Sequence, residues 1–160
     1  MNPRNKRILY IFLLVALLLA IPTTALATKQ SWKARLTGGA EVPAVQTAAV
    51  GNGTFIFNGG GVYFFVRVTG LENPVTASHI HGPAAEGVNG AVVVNLCTAG
   101  TCTFDASTGT FTAEGTILGH HLVNMTAPNF FANLDAGLLY VNVHTTVFLG
   151  GEVRGQIFPR

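Results

Sequence analysis

Two histidines two positions apart, in Ser78-His79-Ile80-His81-Gly82, are the residues of this chain best suited to chemistry. On a β-strand that spacing sets both imidazoles on one face, roughly 7 Å apart, with Ile80 on the other. Imidazoles converging from one strand suit a transition-metal ion, copper and zinc being the usual occupants. A third imidazole lies in Tyr140-Val141-Asn142-Val143-His144-Thr145, where two valines alternate with Tyr140, Asn142 and His144. A further alternating segment, Gly151-Glu152-Val153-Arg154-Gly155-Gln156-Ile157, sets Val153 and Ile157 against Glu152, Arg154 and Gln156. In each segment the apolar row can face a core, which predicts a site on the outer wall of a β-sandwich or barrel.

His79, His81 and His144 are therefore the candidate metal ligands, with His120 or His121 as a fourth. The last two are adjacent, so on a strand they face opposite ways and one at most joins the group. Three ligands with an open position admit small-molecule chemistry, whereas four lean toward a closed structural site. The Irving–Williams order favours copper, with zinc as the lesser alternative. Against a metal stands the plainer reading, in which the same histidines hydrogen-bond loop carbonyls and brace the fold. Arg154 likewise has two readings: a salt bridge to Glu152, or a positive charge that draws an anion such as superoxide toward the metal.

The elements that position these groups belong to one domain. Residues 1–27 read as a secretory signal peptide: Arg4, Lys6 and Arg7 precede an apolar run from Ile8 to Ile21, and Ala25-Leu26-Ala27 offers a cleavage site. An uncleaved leader would instead anchor the chain to a membrane. Residues 28–160 then form the domain. The leader carries three of the nine Lys and Arg, so six face seven Asp and Glu in the remainder, and the basic character belongs to the leader. No basic stripe for nucleic acid is present. Export implies an oxidising compartment, where Cys97 and Cys102 pair as a disulfide around a Gly-containing turn. A Cys-based metal site is the alternative, but bonded sulfurs are not thiolate ligands.

Short runs rich in Val, Phe, Thr and Tyr, broken by Gly, Asn and Pro, predict an all-β, about eight-stranded antiparallel Greek-key sandwich or barrel. Strands are expected at residues 32–37, 49–57, 62–68, around His79 and His81, and at 91–97, 103–104, 110–117, 138–145 and 151–158. Asn58-Gly59-Gly60 supplies a tight hairpin turn, and Ser107-Thr108-Gly109 another. One short helix fits residues 128–134, with Thr126 as N-cap and Gly137 after its end. Asn52-Gly53-Thr54 and Asn124-Met125-Thr126 match the N-glycosylation sequon. Nucleophile-elbow, zinc-protease and phosphate-loop patterns are missing, and the scattered acids offer no evident glycosidase pair.

Glu41-Val42-Pro43, His79-Ile80-His81-Gly82, and the segments from Tyr140 to Thr145 and from Gly151 to Ile157, in that order, resemble the CHRD domain, a family named for chordin. The resemblance implies an antiparallel β-sandwich outside the cytoplasm and says little about function, chordin itself being a binding protein. The order of His79, His81, His144 and Arg154 is also similar in layout to copper/zinc superoxide dismutases. The zinc loop of those enzymes has no counterpart here, so the likeness implies a copper-only site and dismutation of superoxide to O2 and hydrogen peroxide. The competing expectation is a non-enzymatic module that binds a protein or a cell-surface polymer. Copper storage fits poorly, because Met125 is the one methionine after the leader.

Overall fold

The computed structural model describes residues 30–160, so the leader at 1–27 lies outside the described residues. Nine strands form one antiparallel sheet: β1 (Ser31–Thr37), β2 (Val50–Phe57), β3 (Val62–Thr69), β4 (Val75–His81), β5 (Val92–Asn95), β6 (Gly100–Asp105), β7 (Thr110–Ile117), β8 (Leu139–Thr145) and β9 (Val153–Pro159). Their order is β5-β4-β8-β9-β1-β2-β3-β7-β6. The edge strands β5 and β6 are consecutive in the chain, joined only by the one-turn helix α1 (Leu96–Ala99), so the sheet is curled on itself. The all-β expectation stands, with nine strands in place of about eight. β6 pairs with β7 along its whole length, not just at Thr103 and Phe104.

Alternation decides which side is filled. Trp32, Leu36, Phe55, Phe64, Phe111, Ile80, Val141 and Ile157 are all buried on the concave side. Burial of such side chains contributes roughly 1.5–3 kcal/mol each. Helix α2 (Ala127–Asp135) packs on the same core through Phe130 and Leu134. Thr126 caps it, its hydroxyl accepting from Asn129 N–H at 3.4 Å, and Gly137 follows at φ 65°. The Trp32 indole N–H donates to Asp135 Oδ1 at 2.9 Å, tying helix to sheet.

Two sequence expectations need correction. The run through Cys97 leaves the strand after Asn95, whose side chain accepts from Cys97 N–H and starts the α1 turn. The Cys97–Cys102 disulfide then links α1 to β6. The polar faces of β8 and β9 are also not an outer wall. Every residue of β8 is buried, because residues 82–91 and 146–151 fold over its polar row.

Candidate metal centre

The register explains how distant histidines meet. β4 lies against β8 with His79 opposite Asn142 and His81 opposite Tyr140. Ser78 and Ile80 point into the core, so both β4 imidazoles rise on the other face, where β8 presents Tyr140, Asn142 and His144. One potential ligand nitrogen from each of His79, His81 and His144 lies within 4.8 Å of the other two. His79 Nδ1 and His144 Nε2 are 3.1 Å apart. Two nitrogens bound tetrahedrally about 2.0–2.1 Å from one metal ion would stand about 3.3 Å apart, so this edge has the right length.

Loop carbonyls fix two of the rings. His81 Nδ1 donates to Gly90 O at 3.0 Å, and His144 Nδ1 donates to Leu149 O at 2.9 Å. A carbonyl oxygen can only accept, so in the neutral rings both Nδ1 atoms carry the proton and both Nε2 atoms present a lone pair. His81 Nε2 is buried with no hydrogen-bond partner. His79 satisfies the His144 lone pair when its own proton sits on Nδ1; shifting that proton to Nε2 frees a third lone pair.

The rings are disposed to stay neutral. Burial, then the neighbouring His144 and His81, push His79 down to about 4. Burial is also the largest cause lowering His81 and His144, and the Arg154 charge adds to both reductions. Neutral imidazole is the metal-binding form.

Arg154 is not an open cation beside the histidines. It is 4% exposed, and its Nε donates to Glu41 Oε2 at 2.9 Å, while its other nitrogens donate to Val88 O and Asn89 Oδ1. Its guanidinium lies 4.0 Å from the Tyr140 ring centroid, and Tyr140 stacks on His81 at 5.0 Å and 2°. The expected salt bridge to Glu152 is replaced: Glu152 instead accepts from the Thr47 and Thr145 hydroxyls, each at 2.8 Å. Glu41, in the sequence the first residue of the Glu41-Val42-Pro43 motif and given no role there, is the acid that holds Arg154. Its signal was an acid in an uncharged Gly- and Pro-rich stretch of an acid-poor chain. Burial pushes its carboxyl up, partly offset by Arg154.

His120 and His121 are not part of this group. They occupy a turn after β7 and not a strand, their rings 4.1 Å apart, and His121 Nδ1 accepts from Leu118 N–H. The cysteines are likewise committed, to each other.

A curled antiparallel sheet, one disulfide and three imidazoles gathered beneath two loops define a disulfide-clasped all-β domain with a histidine cluster. The chain matches the family model of the CHRD domain over residues 32–157 and belongs to that family. No curated protein and no solved structure matches it.

Proposed function

We propose that this chain is an exported, copper-binding CHRD-domain protein, in which His79, His81 and His144 hold one copper ion that supports superoxide dismutase-like activity. The observation that carries the reading is three imidazole nitrogens within 4.8 Å, one of them buried without a partner. An unpaired buried acceptor costs about 1–3 kcal/mol, and a cation removes that cost. Copper is preferred over zinc for all-imidazole ligation by the Irving–Williams order. The leader sequence and the Cys97–Cys102 disulfide support an extracytoplasmic location.

When bound, copper supplies one-electron exchange, which converts two superoxide ions and two protons to O2 and hydrogen peroxide. The chain's own part is to hold and orient. Gly90 O and Leu149 O set the tautomers of His81 and His144, and Tyr140 keeps the His81 ring flat. Arg154 contributes a positive charge packed on the Tyr140 ring, with each of its three nitrogens already donating a hydrogen bond within the protein.

Metal analysis of the mature protein is expected to find close to one copper per chain, lost in the His79→Ala, His81→Ala double variant. Full retention in that variant overturns the site. Copper-loaded protein should then dismute superoxide faster than the same concentration of free copper; if it does not, binding stands without catalysis.

A second reading, a non-enzymatic module for a protein or a cell-surface polymer, is favoured by exposed Val88, Val147 and Leu149 on the loops that cover the histidines. It expects no stoichiometric metal and normal folding after histidine replacement.

A further inference from the structure

The convex face carries a second feature, on strands other than those that bear the histidines. Lys33, Arg35, Arg67 and Arg160 are exposed, and the described residues hold one ion pair, Glu41–Arg154, which leaves these four cations without a carboxylate partner. The register gathers them. Lys33 lies opposite Thr54, and Arg35 opposite Asn52, which lies in turn opposite Arg67. Strands run about 4.8 Å apart, so Arg35 and Arg67 rise from backbones roughly 10 Å apart on one face. Arg160 joins them because its N–H donates to Ser31 O at 2.9 Å, beside the start of β1.

Lys33, Arg35 and Arg160 line a surface cleft of about 530 Å³ together with Asn52, Thr54 and Phe158. Phe158 is 46% exposed and lies directly opposite Lys33. One acid, Glu86, stands at the cleft. The chain thus places cations, an amide, a hydroxyl and a bare aromatic ring in one depression, although its net charge without the leader is slightly negative.

We infer that this cleft binds an acidic polysaccharide, a linear polymer of uronate-bearing sugars. The cations meet its carboxylates, Asn52 and Thr54 meet its hydroxyls, and Phe158 presents a negative ring face to the C–H side of a pyranose. Single-stranded nucleic acid is a poorer fit, since successive bases need several stacking platforms and the cleft has one. An anionic membrane is poorer still, because the cleft is a depression between strands with no helix in its lining to lie in a bilayer surface.

The probe is a polygalacturonate oligomer, titrated into the mature protein beside dextran of equal length, single-stranded DNA and phosphatidylglycerol vesicles. Polygalacturonate should bind, more weakly as salt rises, while dextran does not. Lys33→Glu with Arg35→Glu should weaken binding at least tenfold, and Phe158→Ala severalfold at unchanged charge. All are solvent-facing, so the thermal transition should hold; Lys33→Gln with Arg35→Gln is the milder version if charge reversal disturbs folding. Binding to DNA or vesicles as tight as to polygalacturonate overturns the proposal, as does undiminished binding in the charge variants or in Phe158→Ala.

Discussion

Arg154 and Glu41 are joined at 2.9 Å across 113 positions of sequence, and both are buried. The pair binds β9 to the segment after β1, and the same guanidinium also fixes Val88 and Asn89 in the loop over the histidines. Removing one partner leaves the other charge sealed without compensation, which typically costs about 3–5 kcal/mol. Arg154→Met and Glu41→Leu should each lower the unfolding free energy obtained from denaturant titration by an amount in that range. The double variant should cost less than the sum of the two, because neither orphaned charge remains. Additive losses would mean that the pair is not coupled.

The histidine cluster predicts a direction for pH dependence. His79 is held at about 4 against an ordinary 6.5, with burial the largest cause. Between those values the unfolded chain binds more protons than the folded one, so stability falls as pH falls through this window and is complete above it. Metal-free protein should therefore lose thermal stability on acidification from 6.5 toward 4, and His79→Gln should flatten that slope. Protons and metal compete for the same lone pairs, so loaded protein should release its ion during the same descent. A thermal midpoint that is flat across this window in the wild type would show that the imidazoles are not shielded.

Local patterns made much of this legible. Period-two alternation marked the strands, Thr126 and Gly137 bracketed the helix, and His79, His81 and His144 were identifiable because they occupy the polar rows of such strands. What local pattern could not reveal was what lies over a polar row. Alternation assigns Tyr140, Asn142 and His144 to a face but does not say that residues 82–91 and 146–151 cover it. The Glu41–Arg154 pair was hidden for the same reason: Glu152, two residues from Arg154, was the nearer candidate, and only the β1–β9 pairing brings Glu41 close. The end of β5 was misjudged because an Asn95 cap outweighs a run of apolar residues.

Gly151 is a point where backbone and site meet. Its φ of 125° lies where side chains are rarely tolerated, and a Cβ there would overlap Glu41 Oε1 and approach Asn142 Nδ2 at 2.9 Å. Gly151→Ala should cost about 1–3 kcal/mol in backbone strain alone. It should also push Glu41 off Arg154, so the coupling measured between those two should shrink in this background. An alanine variant with wild-type stability would show that the loop reshapes freely.

Tyr140 allows metal holding to be separated from folding. Its ring lies parallel to His81 at 5.0 Å, carries Arg154 on it at 4.0 Å, and its hydroxyl accepts from Gly90 N–H at 3.2 Å. Gly90 O is also the partner of His81 Nδ1, so Tyr140 supports that imidazole twice, through the stack and through the backbone that fixes its tautomer. Outer contacts of this kind typically change metal affinity by 10–100-fold. Tyr140→Phe keeps the stack and loses only the hydroxyl's two hydrogen bonds to Gly90, one from its N–H and a long one at 3.5 Å to its carbonyl, so copper affinity should fall little. Tyr140→Leu removes both supports and should weaken copper within that range while leaving one ion per chain at saturation, as titration against a competing chelator would show. If Leu and Phe behave alike, the aromatic face does not position His81, and the Gly90 carbonyl alone sets the ring.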